Sequence, residues 1–271
     1  MLILAPQLIT SRQTGKTIAQ HIADEGLDTD LVFCLDGGAL ASFNAGDTKF
    51  KDLTANGYDF FLGNDGTSSN DPVFRGTPGS LDNTNYFDGY DSGYHRYDAS
   101  NPAEINAIHQ NSAAFTLMAI FRFQTPGGNN VAIAGTQGAT GSSIGFRWGF
   151  LGSNAPGLDV GNGSGVALST TASSSLTDNT DYILFLSFDE AAGSGFQRAN
   201  KTGIHTISAT YSSPSASAAA FAMELMKPGN AELGSWASDA RLYGFAMWNA
   251  ALSAANCDAI QDAINNARGY V

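Results

Sequence analysis

The sequence predicts an all-β fold: two antiparallel sheets packed face to face as a sandwich. Three observations lead there. Charged residues make up only 14% of the chain against 43% apolar, and glycine is abundant at 31 residues, a composition of short strands joined by turns around a real core. Several segments alternate apolar and small or polar residues with a period of two. No helical pattern separates these segments, as the crossovers of a parallel sheet would require.

The elements follow in order. "TIAQHIADEG" is a short helix, with Ile18 and Ile22 one turn apart and Gly26 as its stop. Two turns bury no core of their own, so residues 1–27 are an arm that docks either on its own domain or on a neighbouring subunit. "LVFCLD" (31–36) is continuously apolar, as a strand covered on both faces would be. "AFTLMAIFRF" (114–123) puts Phe115, Leu117, Ala119, Phe121 and Phe123 on one face. "SIGFRWGF" (143–150) puts Ile144, Phe146, Trp148 and Phe150 on one face and Gly145, Arg147 and Gly149 on the other. "YILFLSF" (182–188) is nearly all apolar, and "HTISATY" and "FAMEL" are shorter candidates. "TPGGNN", "GTQGATGSS" and "DEAAGSG" are turns, and "GLDVGNGSGVAL" and "STTASSSLTDNTD" read as surface loops. "RLYGFAMW" (241–248) is apolar on both faces and therefore central, with Leu242, Gly244, Ala246 and Trp248 expected on one side. A helix follows, capped by Ser253, with Cys257, Ile260, Ile264 and Ala267 on one face, Arg268 at its negative end and Gly269 as the stop.

The balance of charge excludes several partners. Thirteen basic residues against 25 acidic ones leave a net charge of −12, which repels phosphate backbones, so neither nucleic acid nor an anionic membrane is expected as a partner. No apolar run approaches the ~20 residues that span a bilayer. The start, "MLILAPQLITSRQTGK", has no basic residue ahead of its apolar run, unlike a secretion signal. The two cysteines, Cys34 and Cys257, make no metal-ligand spacing. Both fall at buried positions, where thiols stay reduced and pack as small hydrophobes.

Five segments, in order, resemble the laminin-G-like, concanavalin A-like jelly rolls. "LVFCLDGG" looks like their opening strand. "FKDLTANGYD", with Asp52, Leu53, Asn56 and Gly57, is similar to their Asp-Leu-Ser-Gly-Asn-Gly turn. "NYFDGYDSGY" followed by "AAFTLMAIFRF" resembles their Phe-Asp-Gly motif and long strand. "TDYILFLSFD" with "NKTG" looks like the strand pair before the closing unit. "YGFAMWNAALSAANCDAI" resembles their last strand, aromatic-Asn corner and Leu-Ser helix cap. The resemblance implies a two-sheet antiparallel jelly-roll sandwich over residues 30–271 with a short C-terminal helix, and residues 1–29 outside it as an N-terminal arm. It also implies that the last strand pairs close to the first.

Some relatives of this fold are glycosidases with a Glu-x-Asp-x-(x)-Glu strand. Here Glu25, Glu104, Glu190, Glu224 and Glu232 each lack an Asp two positions on, so the facing carboxylates are missing and no enzyme is expected. "QTGKT" lacks the first glycine and the preceding strand of a phosphate loop. His21, His95, His109 and His205 have no ligand spacing.

The stretch richest in chemistry is "YFDGYDSGYHRYD" (86–98). Aromatic faces interleaved with carboxylates suit sugar rings and their hydroxyls, which makes Asp88, Tyr90, Asp91 and Tyr94 the candidate ligand-binding residues. Two other readings stand beside this one. Asp88 and Asp91 suit Ca²⁺, a hard cation that seeks oxygens. Alternatively the aromatics fill the core while Asp88-Gly89 and Ser92-Gly93 turn the chain.

Jelly rolls of this kind recur on phage virions as head decorations, fibres and tail tips. The analogy implies a non-enzymatic virion structural protein presenting a lectin-like jelly roll to protein or glycan. It would be held to other virion proteins through residues 1–27, as a homo-oligomer or as part of a large assembly. The alternative is a free, extracellular carbohydrate-binding protein, and a glycoside hydrolase ranks behind both.

Overall fold

The long alternating segments form the strands that their periodicity predicts, and the short strands between them complete two sheets. The computed structural model describes residues 15–66, 69–90, 92–125, 131–138, 142–150, 154–226, 236–237 and 239–271. Along them run α1 (Ile18–Asp24), β1 (Leu31–Asp36), β2 (Lys49–Phe50), β3 (Phe60–Leu62), β4 (Val73–Arg75), β5 (Tyr86–Asp88), β6 (His95–Tyr97), α2 (Ala103–Ala107) and β7 (Ala114–Phe123). There follow β8 (Val131–Gly135), β9 (Gly145–Phe150), β10 (Pro156–Gly161), β11 (Val166–Thr171), β12 (Thr180–Asp189), β13 (Ser194–Ala199), β14 (Thr202–Ser208), β15 (Glu224–Leu225), β16 (Arg241–Trp248) and α3 (Ala254–Arg268).

The chain is an all-β, two-sheet antiparallel sandwich of jelly-roll type with a short C-terminal helix. Sheet I runs β14-β13-β12-β7-β16-β5-β4, with β1 also on β16; sheet II runs β11-β10-β9-β8-β15-β6-β3-β2. The last strand does pair with the first: Leu31 lies opposite Trp248 and Asp36 opposite Gly244. Between the sheets lies the main core, which includes Phe115, Leu117, Ala119, Phe121 and Phe123 of β7 facing Phe146, Trp148 and Phe150 of β9.

The alternation of β16 differs from expectation. A bulge between Leu242 and Gly244 shifts its register on β7, so the phase flips there. Leu242 therefore joins Phe245 and Met247 in the core between the sheets. Tyr243 joins Ala246 and Trp248 on the outer face of sheet I.

That outer face is covered by α1 and α3. Thr17 and Gln20 form a capping box at the start of α1. Ile18 and Ile22 are fully buried among Cys34, Met118, Trp248, Ile260 and Ile264, each worth about 1.5–3 kcal/mol. Ile18 reaches β16 because Gly244 leaves a notch; a Cβ there would stand 2.6 Å from the Ile18 Cδ1. Residues 15–27 thus pack on their own sandwich, and residues 1–14 lie outside the described residues. On α3 the buried stripe ends in Arg268 rather than Ala267, because Arg268 finds a carboxylate beneath the helix. Arg198 of β13 holds Asp258 in a two-bond fork at 3.0 and 2.8 Å, pinning the start of α3. Cys34 and Cys257 are free and buried. Among the described residues, no helix is long and apolar enough to cross a membrane.

The Asp52 turn acts as a clip on β1. Its carboxylate accepts from the Cys34 amide at 2.9 Å and the Tyr58 amide at 3.0 Å, and Asn56 donates to the Val32 carbonyl at 2.8 Å. "GLDVGNGSGVAL", read as a surface loop, instead supplies most of strand β10, every residue of which is buried, and the start of β11. Its glycines hid the alternation of Leu158 and Val160.

Candidate functional site

The stretch 86–98 is not one site, because it passes from sheet I to sheet II. β5 lies in sheet I and β6 in sheet II, with Gly89 at φ 82° making the turn that only glycine adopts without strain. Phe87 faces the core. Asp88 points outward on sheet I, where its Oδ2 accepts from Arg75 Nε at 2.8 Å. Tyr90, expected to offer its ring to a ligand, is fully buried. Its hydroxyl meets His95 Nε2 at 2.9 Å, which makes it a packing residue with a satisfied polar tip. Asp91 lies outside the described residues. Tyr94 is half-buried on the outer face of sheet II, in phase with Arg96 and opposite in phase to buried His95 and Tyr97. Burial, followed by the nearby Glu224 carboxylate, pushes the Tyr94 phenol above its usual range. Among the described residues no group of three or more His, Cys, Asp or Glu is placed to hold a metal.

What the pairing does assemble is a single row across sheet II. Ser169 stands opposite Asp159, Asp159 opposite Arg147, and Arg147 opposite Gly135. The row continues from Gly135 to Glu224, Arg96, Phe61 and Lys49. These residues alternate with core residues along their strands, so the row lies on the outer face. At one end it is sealed: Arg147 Nη2 and Asp159 Oδ2 pair at 2.6 Å with side chains only 6% and 9% exposed. At the other end it opens into a cleft of about 430 Å³, lined by Phe61, Asn64, Arg96, Asp98, Asn101 and Phe221 among others.

The cleft is built by short pieces of chain. Lys49 lies 4.9 Å above the Phe61 ring and donates to Asp98 at 2.6 Å, fixing the ring with a cation–π contact of about 0.5–1 kcal/mol. Arg96 donates to the Asn64 side-chain oxygen. Asn101 donates to the Phe221 carbonyl at 2.7 Å and accepts from the Met223 amide at 2.7 Å, holding the far wall. Phe221 is left 42% exposed at the rim. Two aromatic rings thus flank a guanidinium, an amide and a carboxylate, the groups that meet both the apolar faces and the hydroxyls of a sugar.

The chain is similar in fold to lectin-like β-sandwiches of known structure. A Trypanosoma rangeli sialidase solved with sialic acid matches at 12% identity and a TM-score of 0.55, over 88% of this chain and 33% of that one. Botulinum neurotoxin type C, described as dependent on two ganglioside molecules for cell entry, matches at 12% identity and a TM-score of 0.59, over 88% of this chain and 52% of that one. The binding domain of Paraclostridial Mosquitocidal Protein 1 matches at 12% identity and a TM-score of 0.56, again over 88% and 52%. The chain therefore spans between a third and about half of these proteins, and the likeness is one of fold. No protein-family model and no curated protein matches it.

Of the expected site residues that the structure describes, Asp88, Tyr90 and Tyr94, only Tyr94 belongs to the face that carries the cleft. Phe61, Arg96, Lys49 and Phe221 were not foreseen. The first three sit on strands of two or three residues, too short to show a period, and the register that aligns them joins segments far apart in sequence.

Proposed function

We propose that this protein is a non-enzymatic, lectin-like recognition module that binds a glycan in the cleft at the open end of the sheet II row. The observation that carries this reading is the pair of rings, Phe61 and Phe221, flanking Arg96, Asn64 and Asp98 on one outer face. The lectin-like neighbours support the same class, among them a toxin whose cell entry depends on gangliosides. The placement of the carboxylates supports a binding role over a glycosidase. Glu224 and Asp159 are three strands apart on the row, ~14 Å at the usual strand spacing and wider than the ~5–9.5 Å of glycosidase pairs. Asp98 is taken up by Lys49, and Glu224 stands opposite Arg96, whereas a catalytic acid is kept protonated in apolar surroundings.

The setting we favour is a virion, with this chain as a capsid decoration, fibre or tail-tip component displaying the module. A free extracellular lectin is the alternative. Anchoring to other virion proteins would fall to residues 1–14, since residues 15–27 are engaged with the sandwich. Fractionating purified particles tests the setting: the chain should co-purify with virions and be lost from them when residues 1–14 are deleted.

The binding role is tested by glycan-array screening followed by calorimetry. Phe61→Ala with Arg96→Ala should weaken the selected glycan by about tenfold or more, the loss expected for one stacked ring and one charged hydrogen bond. Thermal unfolding should hardly change. A folded double variant that binds as well as the parent would end the assignment to this cleft.

A further inference from the structure

The opposite surface of the sandwich carries a second polar cleft, of about 360 Å³, on the outer face of sheet I beside the C-terminal end of α3. Its lining includes three arginines, Arg75, Arg122 and Arg241, in a chain whose net charge is −12. Arg122 and Arg241 stand directly opposite each other on β7 and β16, a like-charge pairing that costs stability unless an anion lies between. One carboxylate is present, and Arg122 already takes it. Asp181 accepts from Arg122 Nε at 2.9 Å and Nη2 at 2.5 Å, and from the Tyr243 hydroxyl at 2.7 Å. Arg75 is paired with Asp88.

Arg241 is left over. Its guanidinium lies 4.3 Å above the Tyr86 ring, and it forms no ion pair among the described residues. It also lies close enough to the Tyr243 hydroxyl to lower the pKa of that phenol, against the larger upward push of burial. Stacking uses the face of the guanidinium and leaves its in-plane N–H fork oriented, the geometry that receives a planar carboxylate through two parallel bonds. Asp181 is bonded to Arg122 and Asp88 to Arg75, whereas Arg241 has no carboxylate partner among the described residues and is the guanidinium such a ligand would neutralise. On the rim, Asn83 and Thr84 supply polar groups of the kind that hydroxyls meet.

We propose that this cleft is an anion subsite for the carboxylate of an acidic sugar of the uronate class, with Arg241 as the fork and Arg75 and Arg122 flanking it. The site is independent of the sheet II cleft and lies on the opposite outer face.

The test is titration of the full chain with glucuronate, glucose and inorganic sulfate, followed by backbone NMR shifts and by protection from heat unfolding. Glucuronate should shift the signals of Tyr86, Arg122, Arg241 and Tyr243, and glucose should leave them in place. Arg241→Gln should weaken glucuronate by about tenfold or more, as expected for loss of a charged hydrogen-bonding fork, while Phe61→Ala leaves it unchanged. If Arg241→Gln fails to fold by circular dichroism, Arg75→Gln, at an exposed side chain, carries the same expectation at a smaller fold-change. Sulfate binding as tightly as glucuronate would replace the carboxylate assignment with a general anion site. Glucuronate binding that ignores both arginine substitutions, or no shift at these residues, would overturn the proposal.

Discussion

Arg268 in the last turn of α3 reaches Asp36 at the end of β1, across 232 positions of sequence, through two bonds of 2.7 and 2.6 Å. Both side chains are almost wholly buried, at 1% and 0% exposure. The Asp36 carboxylate also accepts from the Ile18 and Gly38 amides at 2.9 and 3.0 Å. Arg268 donates further to the Lys16 carbonyl at 3.0 Å. One ion pair therefore joins α1, β1 and α3, and the carboxylate beside it holds the Arg268 guanidinium charged despite burial.

Removing one partner leaves a buried charge unpaired, so Arg268→Met should cost about 3–5 kcal/mol in urea unfolding. Amide exchange in residues 16–24 should rise with it, because the carbonyl contact to Lys16 is lost.

Acid should weaken the fold through His95. Burial pushes its imidazole from the usual 6.5 down to about 3, while the unfolded chain protonates near the usual value. The stability is thus fully present above pH ~6.5 and drains away as pH falls towards 3, at ~1.4 kcal/mol per unit. Burial lowers His109 in the same sense. His95→Phe should flatten the stability profile between pH 6.5 and 3, and an unchanged slope would mean that His95 carries no such linkage.

The sealed Arg147–Asp159 pair invites a double-mutant cycle. Arg147 Nε and Nη1 and Asp159 Oδ1 are buried without hydrogen-bond partners among the described residues, so the pair recovers its desolvation cost poorly. Arg147→Met or Asp159→Leu alone should cost about 3–5 kcal/mol, whereas both together should be near neutral or stabilising. Urea midpoints of the four proteins decide it.

Neither thiol should react in the folded state. Burial pushes Cys34 well above the usual thiol range and Cys257 up to about 12, so thiolate is scarce at neutral pH. Colorimetric thiol titration should register no cysteine in buffer and two in strong denaturant.

The sequence revealed the long strands because ten residues such as Ala114–Phe123 show their period plainly. It did not reveal the bulge at Leu242, since a register shift depends on the partner strand. It also missed Lys49, Phe61 and Arg96, whose strands are too short to show alternation and gain meaning from pairing. Tyr90 and Tyr94 looked equivalent in sequence. The chain changes sheets between Asp88 and His95, and that crossing buries one ring and leaves the other on the surface. Arg268 read as a helix-end charge because its counter-ion is hidden at the far end of the chain.

The Asp36–Arg268 clamp also gives the sandwich a mechanical back and front. A pull on the chain ahead of Gly15 reaches Lys16 first and then Ile18 of α1, and through their contacts Arg268 and Asp36, all on the sheet I side. The load is shared by a buried ion pair and by the β1–β16 ladder, which runs from Leu31 opposite Trp248 to Asp36 opposite Gly244. The two- and three-residue strands that frame the Phe61 cleft lie in the other sheet, outside that line of force.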